Sequence, residues 1–187
     1  MKGRKILIGS LTAIALQTGL LAHMIWDRAQ LLKNGQEVAL ASGFIDPRDL
    51  FRGHYVTLRL QIERQEVDAT QLHGSFEYGA PIWVSLAPGE GGFSAVKDIY
   101  AERPTDLEYP ILRGQSGFSY KSGDTPRIVT LHFPIDRYFA PKLEAIKLEN
   151  LRQDQRLGVV LSLSEHGKAA IKGITIDGER IYEEPLF

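Results

Sequence analysis

The chain contains no cysteine. This excludes disulfides, thiolate catalysis, Cys-ligated zinc, iron–sulfur clusters and lipidation through an N-terminal cysteine. It leaves the compartment open, because a domain with an adequate core can live outside the cytoplasm without disulfides. A surplus of positive charge is also missing. The 22 Lys and Arg face 23 Asp and Glu, for a formal net charge of -1, which argues against a nucleic-acid partner. Setting aside Lys2, Arg4 and Lys5 leaves 19 basic against 23 acidic residues, or -4. That mild acidity favours solubility and by itself predicts no affinity for anionic lipid headgroups.

Catalytic signatures are absent as well. Ser85, Ser94, Ser116 and Ser119 sit in no Gly-x-Ser-x-Gly elbow, and neither a His-Glu-x-x-His nor a Walker pattern occurs. His73, His132 and His166 are scattered, and residues 121–124 (Lys-Ser-Gly-Asp) read as a turn rather than a catalytic Ser/Lys pair. No cofactor and no metal is expected, and no enzymatic activity is assigned.

What is present begins at the N-terminus. Lys2, Arg4 and Lys5 precede residues 6–26, which contain no Asp, Glu, Lys or Arg. As a helix this stretch spans roughly 30 Å, the thickness of a bilayer core. Trp26 stands where an interfacial aromatic belongs, and Asp27 and Arg28 close the segment. A cleaved signal peptide needs small residues beside the cut. Ala13-Ile14-Ala15 has that pattern, but cleavage there would leave residues 16–26 as an apolar end. The expectation is therefore an uncleaved signal-anchor. The basic residues 1–5 stay in the cytoplasm and the rest lies on the extracytoplasmic, periplasmic side of the inner membrane. Within the span Ala15, Gly19 and Ala22 fall at i, i+4 and i+7, a small-residue face on which another membrane helix can pack closely.

Residues 27–35 extend the helix into the juxtamembrane region, with Gly35 ending it. Residues 36–187 then form one β domain, in keeping with a chain of 187 residues that is 43% apolar and 24% charged. Residues 55–64 alternate, with Val56, Leu58, Leu60 and Ile62 on one face and Tyr55, Thr57, Arg59 and Gln61 on the other. Further strands are expected over 81–87, 109–118, 127–134, 157–164 and 169–176, with turns at 88–92, 165–168 and 177–178. Only residues 142–151 read as helical. The expected fold is an antiparallel β sandwich or partly closed barrel of about seven strands after the transmembrane helix. Residues 56–62 and 129–135 resemble each other, as do 112–114 and 51–53, which is a compositional sign of a duplicated β unit.

Chemistry concentrates in residues 46–55. Asp46, Arg48, Asp49, Arg52, His54 and Tyr55 place two carboxylates, two guanidiniums, an imidazole and a phenol in ten residues. Asp-Pro favours a turn, and a single helical turn would put Arg48 and Arg52 on one side. One reading is structural, with Asp46 and Asp49 capping backbone amides and pairing with the two arginines. The other is recognition of a ligand or partner by Arg48, Arg52 and Tyr55. A metal site at Asp46, Asp49 and His54 is opposed by the two neighbouring cations.

These residues carry a family resemblance. Residues 46–52 (Asp-Pro-Arg-Asp-Leu-Phe-Arg), then Gly53, Tyr55 and Leu58, resemble the bacterial GDYXXLXY family, although His54 replaces its Asp and Leu60 its last Tyr. Similar stretches are Trp83-Val-Ser-Leu86, Arg103-Pro104, Leu112-Arg-Gly114, Asp136-Arg-Tyr-Phe139 with Glu144, and residues 167–178. The resemblance implies a membrane-anchored protein without an assigned reaction, of a kind often encoded beside multi-pass membrane proteins. The expected function is that of a membrane-anchored accessory or interaction protein that binds an integral membrane partner and touches the lipid bilayer through residues 6–26. The alternatives are an extracytoplasmic, hydrolase-like enzyme using residues 46–55, or a β module that binds a lipid or glycan.

Overall fold

A computed structural model of the chain describes residues 2–45, 56–106, 108–121, 128–135, 137–138 and 156–186. The first element is the 33-residue helix α1 (Lys2–Asn34). Leu, Ile and Ala dominate its span and no proline interrupts it, so nothing breaks the hydrogen-bond ladder. Gly35 follows the helix and donates its N–H to Leu31 O at 2.9 Å. A Cβ at this position would run into Ser162 Oγ and lie 2.7 Å from Leu31 O and 2.9 Å from Leu163 O. Only glycine lets the chain leave the helix this close to the sheet.

The rest is β structure. The strands are β1 (Gln36–Ile45), β2 (Val56–Leu60), β3 (Arg64–Glu66), β4 (Leu72–His73), β5 (Pro81–Pro88), β6 (Ser94–Tyr100), β7 (Ile111–Ser116), β8 (Ile128–His132), β9 (Arg137–Tyr138), β10 (Leu157–Leu163), β11 (Ala169–Ile176) and β12 (Glu179–Glu183). They form two six-stranded sheets, ordered β12-β11-β10-β1-β2-β9 and β3-β8-β7-β5-β6-β4. Pairing is antiparallel except between β4 and β6. The inner faces meet in one core, with Leu40, Val159, Leu161 and Ile174 of the first sheet against Ile82, Val84, Leu112 and Leu131 of the second. The mostly β sandwich behind an apolar N-terminal helix is the architecture expected from the sequence.

Its strands are more numerous than the pattern predicts because some are very short. The alternating run over 55–64 is divided by a 3-10 turn at Gln61–Glu63. β2 stays in the first sheet while β3 joins the second beside β8. Leu60 and Ile62 are buried as their alternation requires, so the turn preserves the apolar side while the chain changes sheets. The look-alike segments 56–62 and 129–135 supply strands to different sheets. The expected turns at 165–168 and 177–178 join β10 to β11 and β11 to β12. In the second, Asp177 and Gly178 have φ of 50° and 86°, the left-handed pair that suits a two-residue hairpin. The expected helix over 142–151 lies outside the described residues.

Strand β10 is buried along its whole length. Leu157, Val159, Leu161 and Leu163 enter the sandwich core. On the opposite face Gly158 lies against Phe93, and Ser162 lies under the end of α1. A strand covered on both faces reads as a continuous apolar run, as Leu-Gly-Val-Val-Leu-Ser-Leu does. This second covering fixes where the helix meets the domain.

Candidate functional site

The helix changes environment within one turn. Leu7, Leu11, Ile14, Leu20, Leu21, Met24, Ile25 and Trp26 are all more than half exposed, whereas Ala29, Leu31 and Leu32 are buried. Leu31 and Leu32 pack on Ala170 of β11 in a small apolar cluster separate from the sandwich core. Ser162 of β10 is fully buried and its hydroxyl donates to Leu31 O at 2.6 Å. That bond satisfies a buried hydroxyl and ties the last turn of the helix to the sheet.

Ion pairs frame this contact. Lys168 donates to the Asp27 carboxylate, and Arg28 Nη2 donates to Glu184 Oε1 at 3.1 Å. Hydrogen bonding from Lys168, and then its charge, holds the Asp27 carboxyl below its ordinary pKa. Next to the helix end, Glu37 receives Lys172 at 2.8 Å and Arg180 at 2.7 Å. The hydrogen bond from Lys172, followed by that from Arg180, lowers its pKa as well. These exposed pairs add little stability singly. They do fix the rotation of α1 about its axis, because Asp27 is tied to the turn before β11 and Arg28 to the residue after β12. The helix is mounted on the domain rather than strung to it.

Two concavities flank the turn between β10 and β11. One, of 780 Å³, lies between the helix end and the segment after β6; Asp27, Asn34, Arg103, Glu108, His166 and Lys168 help to line it. The other, of 850 Å³, opens between that turn and strands β7 and β8. The turn is built into the second sheet, since Arg113 of β7 donates its backbone N–H to Gly167 O at 2.9 Å. Gly167 has φ of 82°, and a Cβ there would sit 2.9 Å from Arg113 N and 3.4 Å from Trp83 Cδ1. The site needs glycine both for its conformation and for its space.

Of the residues singled out from the sequence, Asp46, Arg48, Asp49, Arg52, His54 and Tyr55 lie outside the described residues. So do Asp136, Phe139 and Glu144. The chain on either side is paired, with Ile45 of β1 opposite Thr57 of β2. Ala15, Gly19 and Ala22 lie on the exposed span, and a Cβ at Gly19 would meet none of the described residues within 4 Å.

Ser85, His73 and Asp98 come near one another without forming a catalytic triad. His73 Nε2 is 3.1 Å from the Asp98 carboxylate and stacks on Tyr100. Ser85 is buried, and among the described residues its hydroxyl bonds only the main chain of Asp98. Among the described residues no three His, Cys, Asp or Glu side chains form a metal-binding group.

Sequence reading treated Asp27 and Arg28 only as the end of the span and passed over Ser162, Lys168 and Glu184. The available signal was a Ser inside an otherwise apolar strand, a residue that must find a partner when buried.

No curated protein and no solved structure matches the chain. A family model described as GDYXXLXY protein matches residues 17–174, from within the apolar helix through the junction and into β11. The helix end and strands β1 to β10 thus fall inside one family unit, and the chain belongs to the GDYXXLXY family.

Proposed function

We propose that this is a membrane-anchored accessory protein, with residues 6–26 crossing the inner membrane and the β domain held on its periplasmic side to engage an integral membrane protein. The supporting observation is the contrast along α1. Its apolar part is long enough to cross a bilayer and is not buried within the protein, while its last turns are locked into the sandwich. Apolar surface left bare on every side suits lipid tails or another membrane helix. A mount that fixes the domain on the helix gives a partner one defined surface, part in the membrane and part outside it. The basic residues at positions 2, 4 and 5 favour a cytoplasmic N-terminus. Exposed Ala15, Gly19 and Ala22 offer the face on which a partner helix approaches closely.

A reporter that is active only outside the cytoplasm, fused after Phe187, is expected to work, and the protein is expected to stay with membranes through a carbonate wash. Gly19→Leu adds bulk where none of the described residues stands, so insertion and domain folding are unchanged while packing against a partner helix is blocked. The variant is expected to reach the membrane at normal levels and to lose its crosslinked partner. Full retention of that partner would move the interaction to the β domain. Release by carbonate would overturn anchoring.

A further inference from the structure

We propose that the groove between the β10–β11 turn and strands β7 and β8 binds the phosphate of an anionic glycerophospholipid from the leaflet that the domain faces. This rests on the membrane-anchored reading for the ligand's source, while the groove's chemistry stands on its own residues.

Position comes first. Lys168 lines the groove and its ammonium reaches the carboxylate of Asp27, the residue directly after Trp26 at the end of the apolar span. One wall of the groove is therefore a single side chain's length from the level at which the helix leaves hydrocarbon, which is where phospholipid phosphates lie.

The donors come next. The titratable side chains that line the groove are Arg113, His132, His166 and Lys168, with no Asp or Glu among the described lining residues. Both histidines carry an N–H donor in either protonation state. Lys168 shares its charge with Asp27, so the principal cation is Arg113, whose guanidinium meets no carboxylate among the described residues. Its backbone is pinned to Gly167 and its guanidinium lies 5.7 Å from the centre of the Trp83 ring. A planar, oriented guanidinium suits bidentate binding of phosphate oxygens. Beside it the buried indole N–H of Trp83 has no partner among the described residues.

Shape agrees with an amphiphile. Phe133 and Pro134 supply an apolar side, and 850 Å³ accommodates a glycerophosphate head with its glycerol backbone. The neighbouring 780 Å³ concavity, by contrast, is lined by Asp27, Glu108 and Glu165, and those carboxylates disfavour an anion. With a net charge of -4 outside the basic N-terminus, the domain has no diffuse attraction to an anionic surface. Binding must depend on this one groove.

The test uses full-length protein in nonionic detergent, with Trp26→Phe to leave Trp83 as the sole indole. Short-chain phosphatidylglycerol is expected to give a saturable change in Trp83 fluorescence. Phosphatidylcholine of the same chain length is expected to bind at least tenfold more weakly, and millimolar inorganic phosphate to produce no change. Arg113→Gln, at an exposed side chain, is expected to keep the parent melting temperature and weaken the phosphatidylglycerol response at least tenfold. His132→Gln should weaken it less, and Lys97→Gln, outside the groove, should not alter it. Equal responses to the two lipids, saturation by inorganic phosphate alone, or an unchanged response in Arg113→Gln would overturn the proposal. Release of the protein by carbonate would instead count against anchoring and leave the binding result standing.

Discussion

The apolar span of α1 and its last turns belong to one continuous helix and both carry leucines, yet they face opposite surroundings. Leu20 is 60% exposed and Leu32 is 2% exposed, twelve residues further along the same helix. The difference lies in what stands beside each. The distal turns have β10 and β11, with Ser162 reaching the backbone and Ala170 meeting the side chains, while the apolar span is covered by none of the described residues. Apolar residues in a helix therefore do not say by themselves whether their cover is protein or membrane.

Substitutions on the two sides of that boundary test it directly, beginning with the largest effect. Leu32→Ala removes a buried side chain and leaves a cavity at the junction. It is expected to cost about 2–5 kcal/mol, read as a lower melting temperature of the full-length protein in detergent, whereas Leu20→Ala should leave that melting temperature unchanged. If both are silent, the helix end is not docked. Gly167→Ala forces a side chain into a left-handed backbone and against Arg113. We expect it to cost about 1–3 kcal/mol in urea unfolding, loosening the turn that carries Lys168. Ser162→Ala removes one buried hydrogen bond, but Leu31 O still accepts from Gly35. Its expected cost is about 1 kcal/mol, with faster amide exchange over the last turn of α1.

The smallest effect depends on pH. The folded-state pKa of Glu37 lies below the ordinary 4.5 because Lys172 and Arg180 bond its ionised form. Its contribution is complete above the unfolded pKa and is lost as pH falls through the folded value. Melting temperatures measured across the acid range should therefore fall less steeply in Glu37→Gln than in the parent. At neutral pH the variant should lose less than about 1 kcal/mol, since the pair is partly exposed and screened. A parent curve that is flat in acid would remove Glu37 from the junction's energetics.

Much of this was legible from local pattern. The apolar run after three basic residues, the alternation ending at Leu60 and Ile62, the β10 run and the turn at Asp177-Gly178 each express a physical preference that needs only near neighbours in the chain. The transfer of residues 61–66 from one sheet to the other was not legible, because alternation records which face is apolar and not which sheet receives it. The groove was hidden for a similar reason. Arg113, His132, His166 and Lys168 come from two separate strands and a turn, and nothing in their spacing announces that they meet. The cluster at 46–55, the densest chemistry in the sequence, lies outside the described residues, so its roles stand as the sequence left them.

By itself the sequence determined the apolar helix, the β class, most of the turns and the family pattern, since these follow from side-chain periodicity, glycine and charge placement along the chain. Only the tertiary structure decided that the helix is mounted on the sandwich and that a cation-lined groove opens beside the mount. The first depends on contacts across more than a hundred residues, such as Leu31 with Ser162 and Asp27 with Lys168, and the second on a turn bonded to a distant strand, as Gly167 is to Arg113. Such contacts are chosen by the packing of the whole core rather than by any local stretch.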